Sequence, residues 1–266
     1  MKSRLPAAAL TITAALLFAG LPAAHAAVVT YIDLFTTTQT NNTYDSSATN
    51  TATASEAVGG FRTLTMTSTG NSINDETSRL RTQTNAPAGP RLALSAGLDA
   101  VANYGVLWGG AGGTAGLGGA DFTGGYGTNF NLLTSTLNYS LLTASVAHSY
   151  TWKFTDTIGN EATYSDSFPQ NLSPSPAIDY AISLASFTGA NTINWSSINF
   201  ISLAGGGVPS LNMTFNGGAM GFSVTAAAIP EPGTWTAAGL LLLTAIYIRW
   251  RRSRGAATQE ETPAAV

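Results

Sequence analysis

The sequence predicts an all-β protein: a single antiparallel β-sandwich or jelly-roll ectodomain over residues 27–228, with an N-terminal signal peptide and one short C-terminal transmembrane helix. Three observations carry the body. Apolar and polar residues alternate with period two over several short stretches, the mark of half-buried strands. Turn signals rich in Gly, Asn and Ser separate those stretches. No apolar stripe of helical period and useful length occurs between residues 27 and 228, so no helix-linked parallel sheet is expected.

The clearest strand is "VAHSYTWKFT", in which Val146, His148, Tyr150, Trp152 and Phe154 share one face and Ala147, Ser149, Thr151, Lys153 and Thr155 the other. A turn follows at Gly159-Asn160, and "EATYSDSF" reads as the return strand of a hairpin. The same period recurs at Arg62, Leu64 and Met66, at Ile178, Tyr180, Ile182 and Leu184, and at Leu211, Met213 and Phe215. The Thr and aromatic residues there suit a pleated, half-buried surface. Two regions are expected to lie outside the strands. Residues 36–55, "TTTQTNNTYDSSATNTATAS", are polar and of low complexity and read as a mobile loop. Residues 105–127 hold eleven glycines in 23 positions and read as a Gly-rich loop.

The ends of the chain carry a different kind of signal. Lys2 and Arg4, an apolar run over 7–21 and "AAHA" ending at Ala26 form the three parts of a secretory signal peptide over residues 1–26, so the mature chain is expected to begin near Ala27 outside the cytoplasm. Near the other end, residues 234–248 are 15 positions without a charge. As a helix they cover roughly 22 Å, short of a bilayer core of about 30 Å. Pro230 and Pro232 keep the chain from being helical any earlier, and Pro232 fits the first helical turn. Arg249, Arg251, Arg252 and Arg254 follow as a stop-transfer cluster whose charge holds that end in the cytoplasm. A segment of this kind is either a permanent anchor or a tag that another enzyme reads and removes.

Pro230-Glu231-Pro232-Gly233, then a short hydrophobic helix with a Trp, then the arginines, all behind a signal peptide, resembles the PEP-CTERM sorting signal of Gram-negative bacteria over residues 229–254. The resemblance implies an exosortase as partner, an integral-membrane cysteine transpeptidase that recognises the Pro-Glu-Pro region. It also implies a transient, single-pass inner-membrane intermediate with a cytoplasmic C-terminus, then transfer to the cell surface or release, often beside exopolysaccharide and biofilm. Chains of that family usually stop soon after the basic cluster, whereas this one continues over 255–266 as a polar tail expected to be disordered.

The order of short words in the body is similar to other exported ectodomains with this signal: "GGFRTLTM", "GVLWGG", "GLGGADFT", "FTDTIGNEATYS" and "ISLASFTGANTINWSSINFISL". The last is similar to the final strands of jelly-roll domains related to carbohydrate-binding modules. Two functional expectations follow: a non-enzymatic surface or matrix protein associated with exopolysaccharide, or a glycan-binding module of that jelly-roll type.

Composition narrows the chemistry. The body has five basic and eleven acidic side chains, a formal charge of −6, which argues against nucleic acid as a partner because such binding needs a basic footprint. The chain has no cysteine, which removes disulfides, thiolate catalysis and Cys-ligated metals. "GAGGTAG" grazes a dinucleotide fingerprint but lacks its spacing and its following helix. His148 lies on an apolar strand face and reads as a core or rim residue, and no G-x-S-x-G elbow accompanies it. A glycosidase needs two facing carboxylates, and a count of eleven says nothing about facing. Asp156 and Glu161 bracket a turn but lack a dense calcium loop. No catalytic residue, metal or cofactor is expected. Trp152 and Trp195 read as core, and Trp108, beside glycines, is the candidate glycan contact because an aromatic face suits the apolar face of a sugar.

Overall fold

A computed structural model describes residues 26–70, 77–84, 89–218, 221–229 and 240–249. The chain divides into a compact body, Ala27–Ala228, and a terminal unit. In the body, strands run in the order β1 (Val28–Asp33), β2 (Gln39–Thr43), β3 (Ser47–Thr53), β4 (Phe61–Thr69), β5 (Ser78–Gln83), β6 (Arg91–Ser95) and β7 (Val101–Gly109). They continue with β8 (Thr136–Ala144), β9 (His148–Asp156), β10 (Glu161–Phe168), β11 (Ile178–Ser183), β12 (Ile198–Pro209), β13 (Asn212–Asn216) and β14 (Phe222–Ala226). They form two antiparallel sheets. The six-stranded sheet has the order β10-β9-β12-β7-β4-β3. The eight-stranded sheet runs β1-β14-β8-β13-β6-β5-β2, with β11 also paired to β8. β13 and β14 follow one another along β8, the first pairing with its end and the second with its beginning.

The inner faces meet in an aromatic core. Leu64, Met66, Tyr104, Val106, Trp108, Tyr150, Trp152, Phe154 and Leu203 face inward from the six-stranded sheet, and Leu80, Leu92, Leu137, Tyr139, Met213, Phe215 and Phe222 from the other. The Trp108 and Trp152 rings stack at 5.8 Å, and Tyr150 stacks on Phe168 at 3.8 Å. Such pairs add about 0.5–1.5 kcal/mol each to the burial of their area. With no disulfide available, this packing has to hold the body together.

The hairpin read from the sequence is present: Glu161 pairs with Thr155 and Phe168 with His148. The strands read at Arg62, Ile178 and Met213 are β4, β11 and β13. Two expectations need correction. Residues 36–55 hold β2 and β3 and are not a loop. Their apolar pattern is missing because the inward positions of β2 are Gln39, Asn41 and Thr43. Gln39 donates from Nε2 to the carbonyls of Asn50 and Arg62, at 2.8 and 3.1 Å. Asn41 does the same to Ala48 and Leu64, at 2.8 and 2.9 Å. Hydrogen bonds from one sheet to the other replace apolar contact there. The start of the Gly-rich region, 105–109, is likewise strand, the second half of β7.

In the terminal unit the described residues 240–249 are helical. Among the described residues no helix is long and apolar enough to cross a membrane. The signal peptide, Pro230, Glu231, Pro232, Gly233, Arg251, Arg252, Arg254 and the tail 255–266 lie outside the described residues.

Candidate functional site: the outer face of the six-stranded sheet

The inward parity of Tyr104, Trp108, Tyr150 and Trp152 sends their neighbours outward, and those neighbours are small and polar. The registers align one row across the sheet: Thr49, Thr65, Gly105, Ala204, Thr151 and Ser165. The next row is Ser47, Thr67, Asn103, Gly206, Ser149 and Ser167. Where β12 presents Ala204, Gly205 and Gly206, the surface sinks into an open trough of about 350 Å3 bordered by Asn103, Ser149 and Thr151.

Two glycines shape it for different reasons. Gly206 has φ +116°, and a Cβ there would come within 2.2 Å of the Ala102 carbonyl oxygen. Only glycine fits that bulge between β12 and β7. A Cβ on Gly105 would meet only the Thr65 Cβ, at 3.7 Å, which is ordinary contact. Gly105 is therefore small without being forced to be, and it stands opposite Ala204 at the edge of the trough.

The trough is lined by neutral hydrogen-bonding groups. Thr151 shares its hydroxyl with Ser165 at 2.8 Å, and Asn103 makes a long 3.4 Å bond to Thr67. The hydroxyls of Thr65 and Ser149 make no hydrogen bond to another described residue. The charges on this face, Lys153 and Glu161, pair with each other at 2.5 Å one row away. The Ser149 hydroxyl and the Asn103 amide can exchange hydrogen bonds with the hydroxyls of a neutral polymer chain laid across the strands.

A second hollow of about 370 Å3 lies at Thr123, Thr128, Phe130, Asn194 and Trp195. Two of its polar side chains are already used. Asn194 Oδ1 accepts from the amide and hydroxyl of Ser196, and the Thr123 hydroxyl donates to Asp121.

Trp108, expected to touch a glycan, is 0% exposed. It sits on β7 with inward parity, stacks on Trp152 and donates from Nε1 to Asp33 Oδ2 at 2.7 Å. Reading the strand as ending before the glycines placed Trp108 in a loop, whereas β7 runs on to Gly109. Trp152 and Trp195 are buried as expected. His148 is buried too. Its Nδ1 bonds the Val146 carbonyl at 3.1 Å, so Nδ1 carries the proton and Nε2 accepts from the Tyr104 hydroxyl at 3.4 Å. Burial pushes its pKa below the usual value. Asp156 accepts from the amides of Ile158, Asn160 and Asn194 and from the Asn160 side chain. Those donors occupy the oxygens a cation would need. Among the described residues no group of three or more His, Asp or Glu side chains converges.

No family model and no curated protein matches the chain. Several solved structures are similar at low identity. One is an exo-β-agarase, at 13% identity over 55% of this chain and 22% of that one, with a TM-score of 0.36. The chain thus spans about a fifth of that enzyme's length, 22%. Another is a family 11 carbohydrate-binding module from Clostridium thermocellum in complex with a β-1,3-1,4-mixed-linked tetrasaccharide. Identity is 10% over 77% of this chain and 99% of that one, with a TM-score of 0.37. A third is the family 30 carbohydrate-binding module of a cellulosomal cellulase of Clostridium thermocellum, at 13%, 58%, 84% and 0.36 in the same order. At scores this low the likeness carries neither a site nor a function to this chain.

Proposed function

We propose that this chain is an exported, non-catalytic surface protein that binds a neutral polysaccharide in the trough of its six-stranded sheet. The observation that supports this most is the open trough in which Asn103, Ser149, Thr151, Ala204 and Gly206 come together on one face, with the Ser149 hydroxyl bonded to no other described residue. The lining holds hydrogen-bonding groups matched to sugar hydroxyls, and its titratable side chains, Tyr104 and Tyr150, are buried beneath the surface. Burial pushes both phenols up in pKa, so neither serves as an acid or base near neutral pH.

The C-terminal segment acts, on this reading, as a sorting signal. An exosortase recognises Pro230, Glu231 and Pro232 while the helix holds the chain in the inner membrane, and the body then passes to the cell surface. Support comes from the helix over 240–249: Leu240 to Leu243, Ile246 and Ile248 are all exposed, so it is apolar around its circumference. A helix of that kind calls for apolar surroundings. The Thr244 hydroxyl, which would trouble lipid, donates from Oγ1 to the Leu240 carbonyl at 2.7 Å.

Two experiments test the two parts. In affinity electrophoresis, residues 27–228 are expected to be retarded by at least one neutral polysaccharide. Gly105→Leu, which fills the trough, should remove the retardation without lowering the melting temperature. Equal migration in every neutral polymer would end the binding claim. For sorting, the full chain is expressed with and without an exosortase and its mass followed. A full-length, membrane-held product in both cultures would refute processing.

A further inference from the structure

The body's five basic side chains divide unequally. Arg62 is buried against Asp33, and Lys153 pairs with Glu161. The other three, Arg79, Arg81 and Arg91, stand together on the outer face of the eight-stranded sheet. On β5, Ser78, Leu80 and Thr82 are buried and Arg79 and Arg81 alternate with them; on β6, Leu92 and Leu94 are buried and Arg91 faces out. Arg81 lies opposite Ala93, and Gln83 opposite Arg91, so the small Ala93 leaves open space between the arginines.

Among the described residues none of the three forms an ion pair. The four adjacent strands β2, β5, β6 and β13 contain no Asp or Glu at all. Arg79 Nε donates to Asn42 Oδ1 at 3.1 Å and Arg91 Nε to Gln83 Oε1 at 2.9 Å. Each of these bonds holds a guanidinium by its inner nitrogen and leaves the terminal ones free. Burial, then the charges of Arg79 and Arg91, lower the pKa of Arg81. Gathering like charges on neighbouring strands costs stability. No described residue forms an ion pair that offsets that cost, and an external anion would.

We propose that the outer face of β5 and β6 is a second binding surface, for an anionic polysaccharide whose carboxylate or sulfate groups are taken by Arg79, Arg81 and Arg91. Guanidinium forks match such groups in a bidentate way. Arg79 and Arg81, two residues apart on a strand, are spaced by roughly 6.8 Å. Duplex DNA presents one charge per about 1.7 Å of axis, far denser than this patch, and the acidic remainder of the body repels it. A polymer with charge spread along a sugar chain fits better. This surface lies on the sheet opposite the trough and does not depend on it; it rests only on the reading of the chain as exported.

The test uses the purified mature chain and four probes: polygalacturonate for carboxylate, dextran sulfate for sulfate, unmodified dextran and duplex DNA. One or both anionic polysaccharides are expected to bind at low salt and to be released at high salt. The variant R79Q/R81Q/R91Q should bind at least about tenfold more weakly, while R79K/R81K/R91K keeps part of the affinity. Which polymer binds more tightly separates carboxylate from sulfate. Neutral-polymer binding, which Gly105→Leu removes, should be unchanged in the arginine variants, so the two surfaces fail separately. Three results would each overturn the proposal: anionic polymers bound no better than dextran, full affinity in the glutamine variant with an unchanged melt, or DNA bound more tightly than either polysaccharide.

Discussion

Arg62 Nη1 lies 2.8 and 2.7 Å from the two carboxylate oxygens of Asp33, and both side chains are 0% exposed. The pair joins the two layers, since Asp33 ends β1 of the eight-stranded sheet and Arg62 belongs to β4 of the six-stranded one. Every remaining donor of the guanidinium is used: Nε on Gln39, Nη2 on the Thr37 carbonyl and the Thr82 hydroxyl. Asp33 also accepts from the Phe35 amide and from Trp108 Nε1. Burial raises the Asp33 pKa, and Arg62 and Trp108 oppose that rise.

Removing one partner strands the other charge in the core. Asp33→Ala is expected to cost about 3–5 kcal/mol in denaturant unfolding. The apolar double variant Asp33→Leu/Arg62→Met should recover much of that, because the two fully buried charges leave together and Glu56, 3.5 Å from Arg62 Nη1, keeps its bonds from the Thr37 amide and hydroxyl. A double variant no more stable than Asp33→Ala would show that the loss comes from packing and not from the uncompensated guanidinium.

His148 gives the body a pH dependence. Its pKa is lowered by burial from an ordinary value of 6.5. The unfolded chain then takes up a proton before the folded one does. The stabilisation is complete above about 6.5 and is lost as pH falls from there toward the lower folded value. Melting temperature should decline over that window, and His148→Phe, beside Phe168, should flatten it. An identical slope in the variant would assign the decline to other groups.

Asp156 organises the β9–β10 turn. Burial raises its pKa, but hydrogen bonds from the Asn194 amide, Asn160 and the Ile158 amide outweigh that and lower it overall. This stabilisation is present above the ordinary value of 3.8 and disappears as pH falls below it. Asp156→Ala should cost roughly 2–3 kcal/mol at neutral pH, since bonds to a charged acceptor are lost together. Hydrogen exchange should quicken at Ile158, Asn160 and Asn194, and unchanged rates there would contradict the assignment.

The two trough glycines should respond oppositely. Gly206→Ala drives a Cβ into the Ala102 carbonyl at positive φ and should destabilise by more than about 1 kcal/mol. Gly105→Ala meets nothing closer than 3.7 Å and should be neutral or slightly stabilising. Equal losses at both positions would mean that the trough floor is not shaped as described.

These relationships were unequally legible in the sequence. The β9–β10 hairpin could be read because His148, Tyr150, Trp152 and Phe154 repeat with the pleat. β2 could not, because its inward residues are Gln39 and Asn41, whose partners are carbonyls of the other sheet. The Asp33–Arg62 pair depends on which strands stack, which no local pattern encodes. Trp108 was misplaced because glycines that usually break strands here continue one. The trough is made of alternate residues from three strands, and only their register brings Gly105, Ala204 and Thr151 into one row. Arg79 and Arg81 alternate with Ser78, Leu80 and Thr82 along β5, a strand too short and polar to be read, and the lack of acid on the neighbouring strands required the strand order.

Chemical-shift mapping tests most directly whether the trough holds a sugar chain. Residues 27–228 are titrated with an oligosaccharide of the polymer that retards them most. The amides of Asn103, Gly105, Thr151, Ala204 and Gly206 are expected to shift together with one dissociation constant, and Gly105→Leu should abolish the response. Shifts confined to the eight-stranded sheet or the end loops, or none at all with any polysaccharide, would contradict the assignment of this face.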